Sequence, residues 1–287
     1  MADALPTCFL NGALLPANEA RISPFDRGFL FGDGIYEVVP CYDGKPFRLQ
    51  AHFYRMQAGL DAIGIVNPYS PQRWNELVSE LIAANGHGDM GIYIEITRGV
   101  EPGRDFLPHP DTTPTVFAFC WRLTPTRAEQ LERGFSAATL EDIRWQRCDI
   151  KSVALLGPVM LRMEAKRRGA DEAILIRDKH LAEGSSSAVC IVKDGRVVTP
   201  PPSQKRLPSI TRLVVAEVVD VLTLPLEVRE VHLRELYAAD EIWIASSTRE
   251  AIPVTQLDGR AVGDGKPGPV WRRVFDEFQA LKKREAS

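Results

Sequence analysis

Glu141–Leu156 has the sequence EDIRWQRCDIKSVALL, in which Lys151 lies directly before the largely apolar run Ser152–Leu156. The chain has nine lysines against 26 arginines, and the other eight lysines fall in turns, a polar loop, an arginine-rich helical stretch or the C-terminal region. A partly desolvated lysine loses its proton more easily, and Schiff-base chemistry requires a neutral amine. Lys151 is therefore the best candidate for such chemistry. The alternative is a lysine whose stem lies along an apolar surface and whose head is in water.

A second polar segment, Glu183–Ser187 (EGSSS), follows Lys151 after 32 positions. A carboxylate beside small hydroxyl residues, next to a predicted strand, suits the close approach of backbone to an anionic or aromatic ligand. A surface turn is the alternative, since serine and glycine are favoured in turns.

The composition excludes several classes of protein. The chain has 287 residues, of which 45% are hydrophobic and 25% charged, as in ordinary globular proteins. Its formal net charge of −3 offers no basic surface to nucleic acid or acidic lipid. No signal peptide or membrane span is predicted, so we expect a cytoplasmic protein. The five cysteines never have C-x-x-C spacing, which argues against a disulfide framework or a zinc site.

The first 123 residues predict a small α+β domain. Turn dipeptides such as Asn11-Gly12 and Asp43-Gly44 separate short apolar runs, as in hairpins. Amphipathic periodicity begins at Leu49 and again at Pro71, which predicts two helices. The segments 91–98 and 115–123 predict strands that lie side by side.

The remainder predicts a linker at 124–130 and a larger domain at 131–287. The linker is polar and contains a proline. In the larger domain, helices are predicted at 158–169, 211–222 and 269–283, and strands at 135–142, 172–177, 189–192, 197–199 and 241–245.

Four segments together resemble the signature of the class IV aminotransferases, the pyridoxal-phosphate enzymes of fold type IV. They are 32–38 (GDGIYEV), 141–156 (EDIRWQRCDIKSVALL), 183–187 (EGSSS) and 209–212 (SITR). The resemblance extends over nearly the whole chain and is strongest to the D-amino-acid (D-alanine) transaminases. It implies an α+β fold of two domains, a small α/β sandwich and a larger pseudo-barrel that binds pyridoxal 5'-phosphate.

The resemblance also assigns roles to single residues. Lys151 would form the Schiff base and move a proton, Glu183 would face the pyridine nitrogen and keep it protonated, and Tyr36 would reach the substrate or the Schiff base. Arg144 would support Glu183 by hydrogen bonding. Arg55 would bind the phosphate, and the other cofactor-binding residues would be Leu207 on the ring face, the amides of Ile210 and Thr211, and Ser247 with Thr248.

Substrate preference is less well defined. Tyr36-Glu37-Val38 matches the D-amino-acid pattern, whereas the branched-chain pattern has a phenylalanine and a glycine there. D-Amino-acid enzymes also use an Arg-x-His pair to hold the substrate carboxylate, but the aligned positions here are Gly103 and Asp105. The arginine is displaced to Arg104, which is either a substrate ligand or a solvent-exposed loop residue. Arg27 is a second candidate cation.

Smaller departures from the D-amino-acid pattern are Pro40 in place of a lysine and Ala188 in place of an asparagine.

The leading prediction is a D-amino-acid:2-oxo-acid transaminase with a ping-pong mechanism. Branched-chain L-amino-acid transaminase and (R)-amine:pyruvate transaminase are the alternatives within the family, followed by aminodeoxychorismate lyase. A protein that binds the cofactor without catalysis is the alternative outside enzymology. The resemblance further implies a homodimer.

Overall fold

The computed structural model describes residues 3–286 and divides into two compact units. The N-terminal unit consists mainly of residues 3–124 and 150–154, and the C-terminal unit mainly of residues 125–149 and 155–285. Within the described residues, no helix has the length and apolarity needed to cross a membrane.

The N-terminal unit is built on an antiparallel sheet of six strands. Its strands are β1 (Ala4–Leu10), β2 (Ala13–Pro16), β3 (Gly34–Tyr42), β4 (Lys45–Pro46), β5 (Met90–Thr97) and β6 (Thr115–Arg122). Its helices are α1 (Arg27–Phe31), α2 (Leu49–Ile63) and α3 (Pro71–Asn85), with a 3-10 turn at Ala17–Glu19. The strand order is β2-β1-β6-β5-β3-β4, so β5 and β6 are neighbours as the sequence predicts.

Alternation along β3 places its side chains on two faces. Ile35 and Val39 belong to the buried core that α2 and α3 share with the sheet. Because successive residues of a strand point to opposite faces, Tyr36 and Val38 lie on the face away from that core. Helix α3 begins with Pro71, and the hydroxyl of Ser70 accepts a hydrogen bond from the first turn.

The segment 150–154 belongs to the N-terminal unit, although the sequence predicts it in the larger domain. The N–H of Tyr36 donates to the carbonyl of Lys151 over 2.9 Å, and the N–H of Val153 donates to the carbonyl of Gly34 over 3.1 Å. Ile150 is buried in the core of this unit. These contacts tie the segment to the beginning of β3, so the predicted boundaries 1–123 and 131–287 miss this return of the chain.

The C-terminal unit is built on a mixed sheet of nine strands. Its strands are β7 (Phe135–Glu141), β8 (Glu172–Arg177), β9 (His180–Gly184), β10 (Ala188–Lys193), β11 (Arg196–Thr199), β12 (Leu226–Val228), β13 (Glu241–Ser246), β14 (Glu250–Leu257) and β15 (Arg260–Ala261). Its helices are α4 (Ala128–Arg133), α5 (Leu156–Arg167), α6 (Ile210–Val221), α7 (Leu233–Tyr237) and α8 (Pro269–Ala286). The order is β12-β11-β10-β13-β14-β7-β8-β9, with β15 on β14, and β7 runs parallel to both β14 and β8.

Two parts of the C-terminal unit differ from the sequence expectation. The predicted linker at 124–130 overlaps helix α4, which begins at Ala128. Strand β14 is not predicted, and it contains Pro253, a residue that strands disfavour because it has no N–H to donate. Pairing of β14 with β7 starts only at Val254, so that side of the ladder needs no hydrogen bond from Pro253.

Gly99 closes the base of the loop between β5 and β6, and we predict that Gly99→Ala is strongly destabilising. Its φ is +111°, and a Cβ there would lie 1.9 Å from the carbonyl oxygen of Thr113. Gly12 is a matched control, since its φ is +100° but a Cβ would meet nothing within 4 Å. We expect Gly12→Ala to lower the free energy of unfolding by about 1 kcal/mol and Gly99→Ala by about 3 kcal/mol or more. Equal losses in chemical denaturation would contradict the steric argument.

Candidate active site

Lys151 is held over an aromatic ring. Its Nζ lies 4.1 Å from the ring centroid of Tyr36, and the Tyr36 N–H fixes its backbone carbonyl. Among the described residues, no carboxylate lies within ion-pair distance of this amine. The lysine is half-buried, so its environment is an aromatic face instead of the aliphatic surface that the sequence suggests.

Tyr36 begins an aromatic row that sequence reasoning misses. Its ring stacks on Tyr93 of β5, with centroids 5.5 Å apart, and Tyr93 in turn contacts Phe119 of β6. The Tyr93 hydroxyl donates to Glu95 over 2.6 Å, and burial together with this bond raises its pKa well above the usual range. Period-two alternation in 91–98 and 115–123 is the sequence signal that could reveal this row.

Arg55 binds Glu37 on the core side of β3. The Arg55 Nε and Nη2 each donate to a Glu37 oxygen over 2.7 Å, and His52 Nδ1 lies 2.8 Å from the same carboxylate. Burial would raise the pKa of Glu37, but Arg55 and His52 outweigh it and hold this pKa below its usual range. Sequence reasoning predicts Arg55 as a phosphate ligand and does not predict this buried cluster.

Glu183 and two of its predicted neighbours come together in the C-terminal unit. Arg144 Nη1 donates to Glu183 Oε1, and the N–H of Leu207 donates to Oε2 over 3.0 Å. Burial raises the pKa of Glu183 above its ordinary value despite the charge of Arg144. This carboxylate is therefore a buried proton acceptor of increased basicity.

The N-terminus of α6 presents backbone donors. The Ser209 side chain accepts from the N–H of Arg212, while Ile210 and Thr211 occupy the first turn, where N–H groups have no intrahelical acceptor. Both residues are buried. Such a terminus binds anions well. Ser247 and Thr248 lie in the turn between β13 and β14 and are half-buried.

Arg104 and Arg27 have different environments. Arg104 is exposed, and its guanidinium lies 5.0 Å from the ring centroid of Phe31 and 5.4 Å from that of Phe106. Arg27 is 3% exposed and forms ion pairs of 2.9 Å with both Asp33 and Glu101. Arg27 also donates to the carbonyls of residues 105 and 106. Arg27 thus fastens the loop, and Arg104 is the cation that points away from the core.

We predict that Glu37→Gln lowers the free energy of unfolding by about 3 kcal/mol, because it removes the charge that compensates the buried Arg55. The folded pKa of Glu37 lies below its unfolded value, so its stabilising contribution is present at neutral pH and is lost as the pH falls below about 4.3. The difference between the two proteins in chemical denaturation should therefore shrink from pH 7 to pH 3. Glu80→Gln is the control: Glu80 pairs with Arg73 over 2.8 Å but is 45% exposed, so its loss should be below about 1 kcal/mol. Equal losses for both variants would contradict the prediction.

Known sequences are similar to this chain over nearly their full length. A D-alanine aminotransferase of Staphylococcus haemolyticus is 40% identical over 279 residues, which cover 97% of this chain and 99% of the relative. A D-alanine aminotransferase of Listeria innocua is 38% identical and covers 94% of this chain and 93% of its own length. The family described as Amino-transferase class IV matches residues 34–257.

Solved structures give the same family. The branched-chain amino acid aminotransferase of Escherichia coli superposes with a TM-score of 0.91 at 25% identity, covering 96% of this chain and 94% of that one. The branched-chain amino acid aminotransferase of T.th., solved with pyridoxamine 5'-phosphate, has a TM-score of 0.91 at 26% identity, covering 96% and 93%. These findings confirm the predicted fold class, transaminase activity and cofactor. The chain therefore belongs to the class IV aminotransferases, the transaminases of fold type IV that depend on pyridoxal 5'-phosphate.

Proposed function

We propose that this aminotransferase moves the amino group of a D-amino acid such as D-alanine to a 2-oxo acid. The observation that carries this proposal is the 40% identity to a D-alanine aminotransferase over 97% of the chain. The Tyr36-Glu37-Val38 pattern supports it, because Tyr36 contacts Lys151 and Glu37 is a buried member of a charge cluster.

The described residues fit pyridoxal 5'-phosphate. A buried carboxylate of raised pKa, Glu183, suits a protonated pyridine nitrogen. The first turn of α6 suits a phosphate. The Ser187 Oγ is buried and has no hydrogen-bond partner among the described residues, which is the state expected of a polar group beside a ligand.

The binding residues follow from this fit. Lys151 would bind the cofactor covalently, Glu183 would face the pyridine nitrogen and Leu207 would pack on the ring. The phosphate would be bound by Arg55, by the amides of Ile210 and Thr211, and by Ser247 with Thr248. When bound, the cofactor supplies an electron sink for the carbanion formed at the substrate Cα.

The chain's own residues then perform the proton transfers. The Lys151 amine takes the proton from the donor's Cα and delivers it to the cofactor's C4′, and the second half of the reaction reverses these transfers with the 2-oxo acid. Glu183 keeps the proton on the pyridine nitrogen, and Arg144 with the Leu207 N–H holds that carboxylate in place. Tyr36 orients the lysine and reaches the substrate, beside Val38 on the same face of β3.

Arg104 is our candidate for the substrate carboxylate. A carboxylate that leaves water needs a cation or several donors, and Arg27 is already bound to Asp33 and Glu101. Arg104 contacts only aromatic rings through its guanidinium among the described residues. Asp105, beside it, favours a second candidate donor without a carboxylate, a primary (R)-amine.

The donor is tested with the holoenzyme and three donors: D-alanine, L-leucine and (R)-1-phenylethylamine. We expect D-alanine to bleach the cofactor's visible band fastest and Lys151→Ala to abolish turnover. A faster reaction with L-leucine would contradict the proposed donor, and normal turnover by Lys151→Ala would contradict the assigned nucleophile.

The same assay tests Arg104. Arg104→Gln should raise the KM for D-alanine about tenfold or more, because a charge-assisted contact contributes about 1.5–3 kcal/mol, while the rate with (R)-1-phenylethylamine stays the same. Arg21→Gln, an exposed arginine near the N-terminus, is the control. An unchanged KM for D-alanine would exclude Arg104 as the carboxylate ligand.

We propose that the enzyme is a homodimer and that α5 contributes to the interface. Leu156, Val159, Met160 and Met163 are 73, 50, 51 and 67% exposed. Their spacing places them on one stripe of the helix, and a contiguous exposed apolar stripe marks an interaction surface. A second copy of the chain is the occupant we assign to it, as the family resemblance implies.

Met160→Glu should dissociate the dimer, because it places a charge in the centre of the apolar stripe. Light scattering after gel filtration should give the mass of two chains for the native protein and of one chain for this variant. Val221→Glu is the control, since Val221 is 59% exposed on α6, outside the stripe. A dimer that persists in Met160→Glu would exclude this surface.

We also propose a cytoplasmic location. All five cysteines are buried and free, which suits a reducing compartment.

A further inference from the structure

Four buried charges of alternating sign lie in a row in the C-terminal unit, here termed the charge network Glu183–Arg144–Asp142–Arg177. Their side chains are 9, 9, 0 and 10% exposed, in that order. The proposed function uses Glu183 and Arg144. Asp142 and Arg177 have no role in it.

Asp142 holds Arg144 with both of its oxygens. Its Oδ1 accepts from the Arg144 Nε over 2.8 Å and its Oδ2 accepts from Nη2 over 2.9 Å. The guanidinium is planar and rigid, so a two-point contact on one edge fixes the direction of the remaining nitrogen. That nitrogen, Nη1, is the one that donates to Glu183.

Arg177 holds the same arrangement from the other side. Its Nη2 lies 2.8 Å from Asp142 Oδ2 and 3.2 Å from the backbone carbonyls of Arg144 and Trp145. The register explains this position: β7 and β8 are parallel and pair Glu141 with Ile176. Asp142 and Arg177 follow these residues, so they emerge together at the same edge of the sheet.

The ionisation states fit a network of fixed charges. Burial would raise the pKa of Asp142, but the hydrogen bonds and charge of Arg144, with that of Arg177, hold it below its usual range. Burial raises the pKa of the neighbouring Cys148 thiol, so this thiol adds no charge at neutral pH. The groups that face Glu183 are therefore the Arg144 guanidinium, the Leu207 N–H, the Asp142 carboxylate and the neutral Cys148.

We propose that Asp142 is a positioning residue of the transaminase: it aims Arg144 at Glu183 and offsets the charge of that arginine. Glu183 then keeps a high affinity for a proton shared with the pyridine nitrogen of the cofactor. This inference rests on the proposed placement of Glu183 at that nitrogen.

The signs of the two outer charges provide a sharp test. Removing the negative charge of Asp142 lowers the proton affinity of nearby groups, and removing the positive charge of Arg177 raises it. A loss of packing or order alone has no such dependence on sign. Asp142→Asn and Arg177→Gln should therefore act in opposite directions.

The experiment titrates the visible absorption of the holoenzyme with pH. We expect the midpoint to move down by about half a unit or more in Asp142→Asn and up in Arg177→Gln. The kcat of Asp142→Asn should fall about tenfold, with the KM for D-alanine less affected. Affinity of the apoenzyme for pyridoxal 5'-phosphate, measured by fluorescence, gives a readout that does not depend on turnover, and we expect it to fall in Asp142→Asn.

Glu227→Gln is the matched control, since Glu227 also pairs with an arginine two positions away, Arg229, but is 36% exposed. It should leave midpoint, kcat and cofactor affinity unchanged. Shifts of the same sign in Asp142→Asn and Arg177→Gln, or no shift in either, would overturn the inference. If Asp142→Asn does not fold, the upward shift in Arg177→Gln decides alone.

Glu183→Gln separates this inference from the proposed function. A titration that is unchanged in Glu183→Gln would show that the proposed placement of the cofactor fails, and the role of Asp142 with it. A shift in Glu183→Gln without one in Asp142→Asn or Arg177→Gln would overturn the role of Asp142 alone.

Discussion

The backbone pairing between the start of β3 and residues 151–153 is the constraint on which the N-terminal part of the site depends. Two hydrogen bonds, from Tyr36 to Lys151 and from Val153 to Gly34, join segments that lie far apart in the chain. A lysine side chain has many rotamers and loses entropy when it is held. Fixing its backbone on a central strand, with an aromatic ring beside its amine, limits where that amine can go. The precision of the lysine is thus a property of the sheet.

Each of the two units compensates a buried charge in the same way. The carboxylates of Glu37 in one unit and Glu183 in the other are each bound by an arginine that brings a compensating charge. A buried charge without a partner is costly, whereas a paired one also fixes geometry. The outcomes differ: the pKa of Glu37 falls and that of Glu183 rises. Glu37, bound by both Arg55 and His52, is therefore a fixed anion, while Glu183 is suited to share a proton.

Much of the fold can be predicted from the sequence, because its signals are local. Hairpin dipeptides and helical periodicity identify the strands and helices around Asn11, Leu49 and Pro71. Strand β14 escapes prediction because Pro253 opposes it locally and only its neighbours in the sheet stabilise it. The contact of Arg144 with Glu183 follows from the resemblance, whereas the pairs Glu37–Arg55 and Asp142–Arg177 do not. Those pairs depend on which strands and helices are neighbours, and no local pattern contains that information.

Arg27 fastens the loop that carries Arg104 by donating to the main-chain carbonyls of residues 105 and 106. Every residue type offers the same carbonyl, so the anchor does not depend on which side chains stand at these positions. Side chains in this loop can therefore be exchanged while its backbone remains attached to α1. Such an arrangement allows donor preference to diverge by substitution within the loop, with the rest of the chain and its cofactor chemistry unaltered. The departure from the Arg-x-His pattern at Gly103 and Asp105 is a change of the kind that this anchor tolerates.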